Sequence, residues 1–177
     1  AARTTTRVRA LVPCASEPGA LALVAQLRAL SHETWRRGLP GGIDVSAVEH
    51  LDARSIAIVR EDGADRRHHL ALPDWATVLL LVDLDLPAGT SREAAWAQVE
   101  GALEDGGTAD GPLARFCRLV ADHGLLDAVE LAMPGDLTRL AQMDAVREAV
   151  PAGVNARVAS ARARHGAAVK KTAADMI

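Results

Sequence analysis

The run Thr77–Leu86, T-V-L-L-L-V-D-L-D-L, constrains this chain more than any other stretch. It is short, rich in Val and Leu and apolar on both sides, so it reads as a strand buried at the centre of a sheet. Asp83 and Asp85 lie two apart near its end and therefore share a strand face. They read as paired carboxylates for acid–base work or as a solvated pair. The second reading is favoured, because acid–base work needs a cleft that shifts pKa values.

Three more strands are expected around it. Thr4–Ala15 alternates Arg7 and Arg9 with Val8, Ala10 and Val12. Ser46–Leu51 is short, and Leu125–Met133 alternates Val129, Leu131 and Met133 with Ala128, Glu130 and Ala132. Helices are expected after Ser16, with Ala20, Leu23, Val24, Leu27 and Leu30 on one face, and after Asp52, with Leu51 and Ile56 stapled across the cap. Thr90 and Glu93 form a capping box for another, Pro112 opens the next, and Gly124 ends it. Gly63–Pro73 reads as a surface loop. The order is strand, helix, strand, short helix, strand, helices, strand, long helix. Its simplest solution is an α+β fold: a ferredoxin-like antiparallel four-stranded sheet with helices packed mainly on one face.

The last helix starts at Asp136, an N-cap after Pro134-Gly135, with Leu137, Leu140, Ala141 and Val146 near helical spacing. Pro151 removes an amide and crowds the carbonyl of Arg147, so the helix is expected to end or kink there. The chain divides into a core, 1–135, and a long broken helix with a basic C-terminal segment, 136–177. Arg147, on the last regular turn, is either an exposed charge paired with Asp144 or a guanidinium aimed at a ligand. Lys170 and Lys171, the only lysines, read alone as a solvated pair; with Arg147 and Arg157 they make an anion site.

Hydrophobic residues are 49% of the 177, aromatics only 2%, so the core is aliphatic. The net charge of −3 argues against a nucleic-acid partner. From Arg147 onward, six basic residues stand against Glu148 and Asp175, which suits an anionic ligand or an acidic neighbouring domain. No apolar run is long enough to cross a membrane. Cys14 and Cys117 sit in apolar patterns and read as structural thiols of a reduced, cytoplasmic compartment; a disulfide is the alternative. Both ends read as cut, so an excised part of a longer protein is expected.

Neither phosphate-cradling glycine motif is present, nor G-x-S-x-G. His68-His69 would point to opposite faces of a strand and has arginines rather than ligands around it, so no metal site is expected. His50 reads as a hydrogen-bonded structural histidine.

Three stretches carry a resemblance: V-S-A-V-E-H-L-D at 45–52, V-L-L-L-V-D-L-D at 78–85 and V-R-E-A-V-P-A-G-V-N at 146–155. With K-K-T-A-A-D-M-I at 170–177, the chain resembles the C-terminal (cap) domain of FAD-linked oxidases and dehydrogenases of the vanillyl-alcohol oxidase / p-cresol methylhydroxylase type. Within that family it is most similar to the D-lactate dehydrogenase / glycolate oxidase flavin-subunit group. The resemblance implies an oxidoreductase acting on a small 2-hydroxy acid, of the D-lactate, glycolate or D-2-hydroxyglutarate type. FAD would be held mainly by a domain of the same polypeptide outside this chain. Arg147 would grip the substrate carboxylate and Lys171 would assist; no catalytic residue falls in the chain, which alone is expected to be inactive. An uncovered flavin-facing surface would favour a homodimer. The rival reading is a non-catalytic ferredoxin-like module for ligand binding or dimerisation.

Overall fold

The computed structural model describes residues 6–104, 108–166 and 169. β1 (Thr6–Cys14), β2 (Val45–Leu51), β3 (Val78–Leu86) and β4 (Glu130–Ala132) form one antiparallel sheet in the order β2-β3-β1-β4. Helix α1 (Glu17–Arg37) joins β1 to β2, and α4 (Arg92–Leu103) and α5 (Pro112–Asp122) join β3 to β4. This is the ferredoxin-like α+β layout. β3 lies in the interior of the sheet, as its apolar run requires.

Alternation decides the two faces of the sheet. Val8, Ala10, Val12, Leu80, Val82 and Leu84 face α1, α4 and α5, where Leu23, Leu27, Phe116 and Val120 complete the larger core. Leu11, Leu79 and Leu81 face the other way. There α2 (Ala53–Asp62), α3 (Ala64–Arg67) and α6 (Leu137–His165) supply Ile56, Val59, Ala64, Met143, Val146 and Val150. Helical cover is therefore not confined to one face: a second, smaller core sits on the reverse of the sheet.

Several element ends follow from single residues. Ser16 Oγ accepts from the Gly19 amide at 3.2 Å, and Asp52 Oδ1 accepts from Ser55 at 2.8 Å, which holds the Asp52 carboxyl below its usual range. The cap of α4 is Ser91 rather than Thr90. The Thr90 hydroxyl is already spent, donating to the Pro87 carbonyl at 2.7 Å in the preceding turn. Gly63–Pro73 is not a loop throughout, since α3 lies within it.

The expected strand 125–133 shrinks to β4, and Leu126–Ala128 forms a 3₁₀ turn. β4 pairs with β1 only across Arg9–Leu11; two residues further on, Pro13 has no amide hydrogen to extend a ladder.

The largest departure is at Pro151. The helix neither ends nor breaks there but runs on to His165, so Arg147 lies within a 29-residue helix and not on its last turn. Pro151 removes one internal hydrogen bond, while Met143, Val146 and Val150 hold the preceding turns against α2 and the sheet. Among the described residues no helix is long and apolar enough to cross a membrane. Cys14 and Cys117 are both buried and free, and burial pushes each thiol up to about 11.

Helix α6 approaches α2 closely at Gly153, where an added Cβ would stand 2.3 Å from Cγ2 of the buried Ile58. Gly153→Ala is expected to destabilise the chain by about 1–3 kcal/mol in urea despite alanine's better helix propensity. Adding Ile58→Ala should restore part of that loss relative to Ile58→Ala alone. A stabilising Gly153→Ala would show that the two helices are not in contact there.

Candidate functional site

The reverse face of the sheet is apolar at one end and charged at the other. Antiparallel register sets Arg7 opposite Asp85 and Arg9 opposite Asp83. Arg9 grips Asp83 with two nitrogens, Nε at 2.6 Å and Nη2 at 2.9 Å, and gives Nη1 to Asp144 of α6 at 2.5 Å. Arg7 donates Nε to Asp85 at 3.2 Å, and Ser46, at the irregularity in β2, donates its hydroxyl to the same oxygen at 3.0 Å. Asp83 is only 5% exposed. The forked guanidinium meets it there from the neighbouring strand and compensates its burial. The same contacts push Arg9 further up, so it stays charged at any working pH.

Arg147 lies one turn beyond Asp144 on α6 and turns inward, toward β2. Its Nη1 donates to Glu49 Oε1 at 2.9 Å. Nη2 donates to Glu148 at 2.9 Å and stands 3.6 Å from Asp144. The Glu49 contact raises the Arg147 pKa. Nε is buried with no hydrogen-bond partner among the described residues, and so is Glu49 Oε2.

The expected Asp144 contact exists but is the longest of three, and the side chain faces the sheet rather than open solvent. Lys171, the other expected contact, and Lys170 lie outside the described residues. Arg157, grouped with them by sequence, pairs instead with Glu61 of α2.

The remaining candidates have structural partners. His50 Nε2 lies 2.9 Å from the Glu17 carboxylate at the start of α1. His69 has a positive φ of 54°, and its carbonyl accepts from Arg139 at 3.0 Å. Among the described residues no three His, Cys, Asp or Glu side chains are grouped to hold a metal ion. Asp83 and Asp85 share a face as expected, yet neither is a free acid–base pair, because Arg7 and Arg9 occupy them.

Sequence reasoning missed Glu49, 98 positions from Arg147, and the matching of R-x-R in β1 to D-x-D in β3. Complementary charge at period two in neighbouring strands was the available signal. No protein-family model matches the chain, and a search of curated proteins finds no match.

Arg9→Ala is expected to cost about 3–5 kcal/mol, since it strands Asp83 in a closed environment. Arg147→Ala should cost about 1 kcal/mol, as its acids are partly solvated. Urea titrations of both variants check this. Equal costs would mean that the Arg9 fork contributes no more than a surface pair.

Proposed function

We propose that this chain is the substrate-binding cap domain of an FAD-dependent oxidoreductase acting on a small 2-hydroxy acid of the D-lactate, glycolate or D-2-hydroxyglutarate type, in the cytoplasm. Two things support the reading: the stretches at 45–52, 78–85 and 146–155 that resemble that family, and the condition of Arg147.

The observation that carries it is the unpartnered Nε of Arg147. Glu49 fixes Nη1, leaving the Nε–Nη2 edge as a planar fork that Glu148 meets at 2.9 Å and Asp144 only at 3.6 Å. The Glu148 side chain is largely exposed, and such pairs contribute little, so a substrate carboxylate displaces it at low cost. A carboxylate then takes both nitrogens of that edge and satisfies the buried Nε. Lys171 belongs to the same reading as a second cation.

The described residues do not fit FAD itself. The cavity of about 560 Å³ between the end of α1 and the end of β3 is lined by Asp44, whose carboxylate would repel a pyrophosphate. A neighbouring cavity mixes Arg115 and Arg118 with Glu33 and Asp122. The reading assigns the flavin to another domain of the same polypeptide and places no redox step on this chain. The part of Arg147 is to bind the carboxylate and, with Glu49 behind it, to set the direction of the carbon bearing the hydroxyl.

The test is the full polypeptide with its native flanks. A yellow protein bleached by D-lactate, glycolate or D-2-hydroxyglutarate supports the reading and names the substrate; a colourless one favours the non-catalytic module. Arg147→Lys is expected to raise KM roughly 10- to 100-fold, because a point charge replaces a fork, with the unfolding midpoint nearly unchanged. Unaltered kinetics would remove Arg147 from the site.

A further inference from the structure

If Arg147 holds one end of a ligand, its neighbour on α6 is placed to meet the next group along. Asp144 lies one helical turn before Arg147, and its Oδ1 stands 3.6 Å from Nη2. A carboxylate laid on the Nε–Nη2 edge therefore comes to rest beside a second negative charge. Whether that neighbour can move away decides what the edge accepts.

The three acids around Arg147 differ in this respect. The Glu148 side chain is largely exposed and free to swing into solvent. Glu49 is committed to Nη1, and its other oxygen is buried. Asp144 is neither loose nor enclosed. Arg9 Nη1 holds its Oδ1 at 2.5 Å, and Arg9 is itself anchored by two nitrogens on Asp83. Met143 and Val146, buried in the second core, pin the same turn of α6. The Asp144 side chain is nevertheless 39% exposed, and among the described residues its Oδ2 accepts no hydrogen bond. It is a fixed carboxylate with one oxygen to offer.

A fixed acid beside an anion site is selective. Propionate on Arg147 would bring its charge against Asp144 with nothing between them, and a 2-oxo acid would add the lone pairs of its ketone to the same conflict. A 2-hydroxy acid carries an O–H on the carbon next to its carboxylate. With that carboxylate on Nη2, the hydroxyl can reach an acceptor flanking Nη2 at the usual distance of about 2.7 Å. A charge-assisted hydrogen bond then stands where the repulsion was.

We propose, resting on the reading of Arg147 as the carboxylate grip, that Asp144 is the specificity residue of the same site, its Oδ2 accepting from the hydroxyl on carbon 2. The pair Arg147–Asp144 binds 2-hydroxy acids and turns away both 2-oxo acids and acids bare at that carbon. The hydroxyl keeps its proton in this contact. Arg9 is the positioning residue behind Asp144.

The 177-residue chain suits the test, because with the flavin on another domain it binds without turnover. The Arg147 Nε–H resonance, assigned by its loss in Arg147→Lys, is followed by NMR as D-lactate, propionate and pyruvate are added in separate titrations. D-lactate is expected to bind about tenfold more tightly than either of the others. Asp144→Ala should erase that preference while propionate binds no worse than before, which the loss of a merely structural residue would not produce. Asp144→Asn, which keeps the shape of the side chain, should lose most of the preference, since a neutral amide attracts a hydroxyl less than a carboxylate does.

Propionate or pyruvate bound as tightly as D-lactate by the unaltered chain overturns the role of Asp144 and leaves the Arg147 grip standing. An Nε–H that responds to none of the three overturns both. Full preference retained in either Asp144 variant also overturns the assignment. The comparison of D-lactate with propionate needs no variant, so a misfolded Asp144→Ala would not shield the proposal.

Discussion

The structure depends first on the fork that Arg9 closes on Asp83. Both residues belong to the two inner strands, and both project from the face that also carries Leu11, Leu79 and Leu81. Unpaired, either charge would cost more there than a typical core contact returns. Paired, they fix register: a slip of one residue would send Arg9 into the larger core among Leu23, Leu27 and Phe116 and turn Val8 outward. The third nitrogen of Arg9 reaches Asp144, so the same guanidinium also fixes where α6 crosses the sheet. Arg147, three residues on, inherits its position from that contact.

How much of this was legible varied with the range of the interaction. Elements set by local chemistry could be read directly: β1 and β3 from alternation, and α1 and α2 from the caps Ser16 and Asp52. Elements set by competition could not. Thr90 matched the capping pattern, but the Pro87 carbonyl took its hydroxyl, and the cap moved to Ser91. Pro151 carried a strong local signal that packing of Met143, Val146 and Val150 outweighed, so the helix continues through it. Leu125–Met133 alternates along its length, yet a strand needs a partner, and β1 offers one only from Arg9 to Leu11.

The candidate site shows the same division. Arg147 stood out by its place on the helix, and its near neighbours Asp144 and Glu148 follow from helical spacing. Its firmest partner, Glu49, comes from the far side of the fold, and no spacing rule connects the two. Arg7, Arg9, Asp83 and Asp85 were each visible as strand charges; only the pairing of β1 with β3 turns them into a ladder.

That ladder also sets the terms on which an anion can reach Arg147. Counting Arg7, Arg9 and Arg147 against Glu49, Asp83, Asp85, Asp144 and Glu148, the charged region has more carboxylates than guanidinium groups. An anion reaching Arg147, as proposed, has to exchange with an acid already present. The exposed Glu148 is the acid that can leave cheaply, while Glu49 stays to hold the arginine.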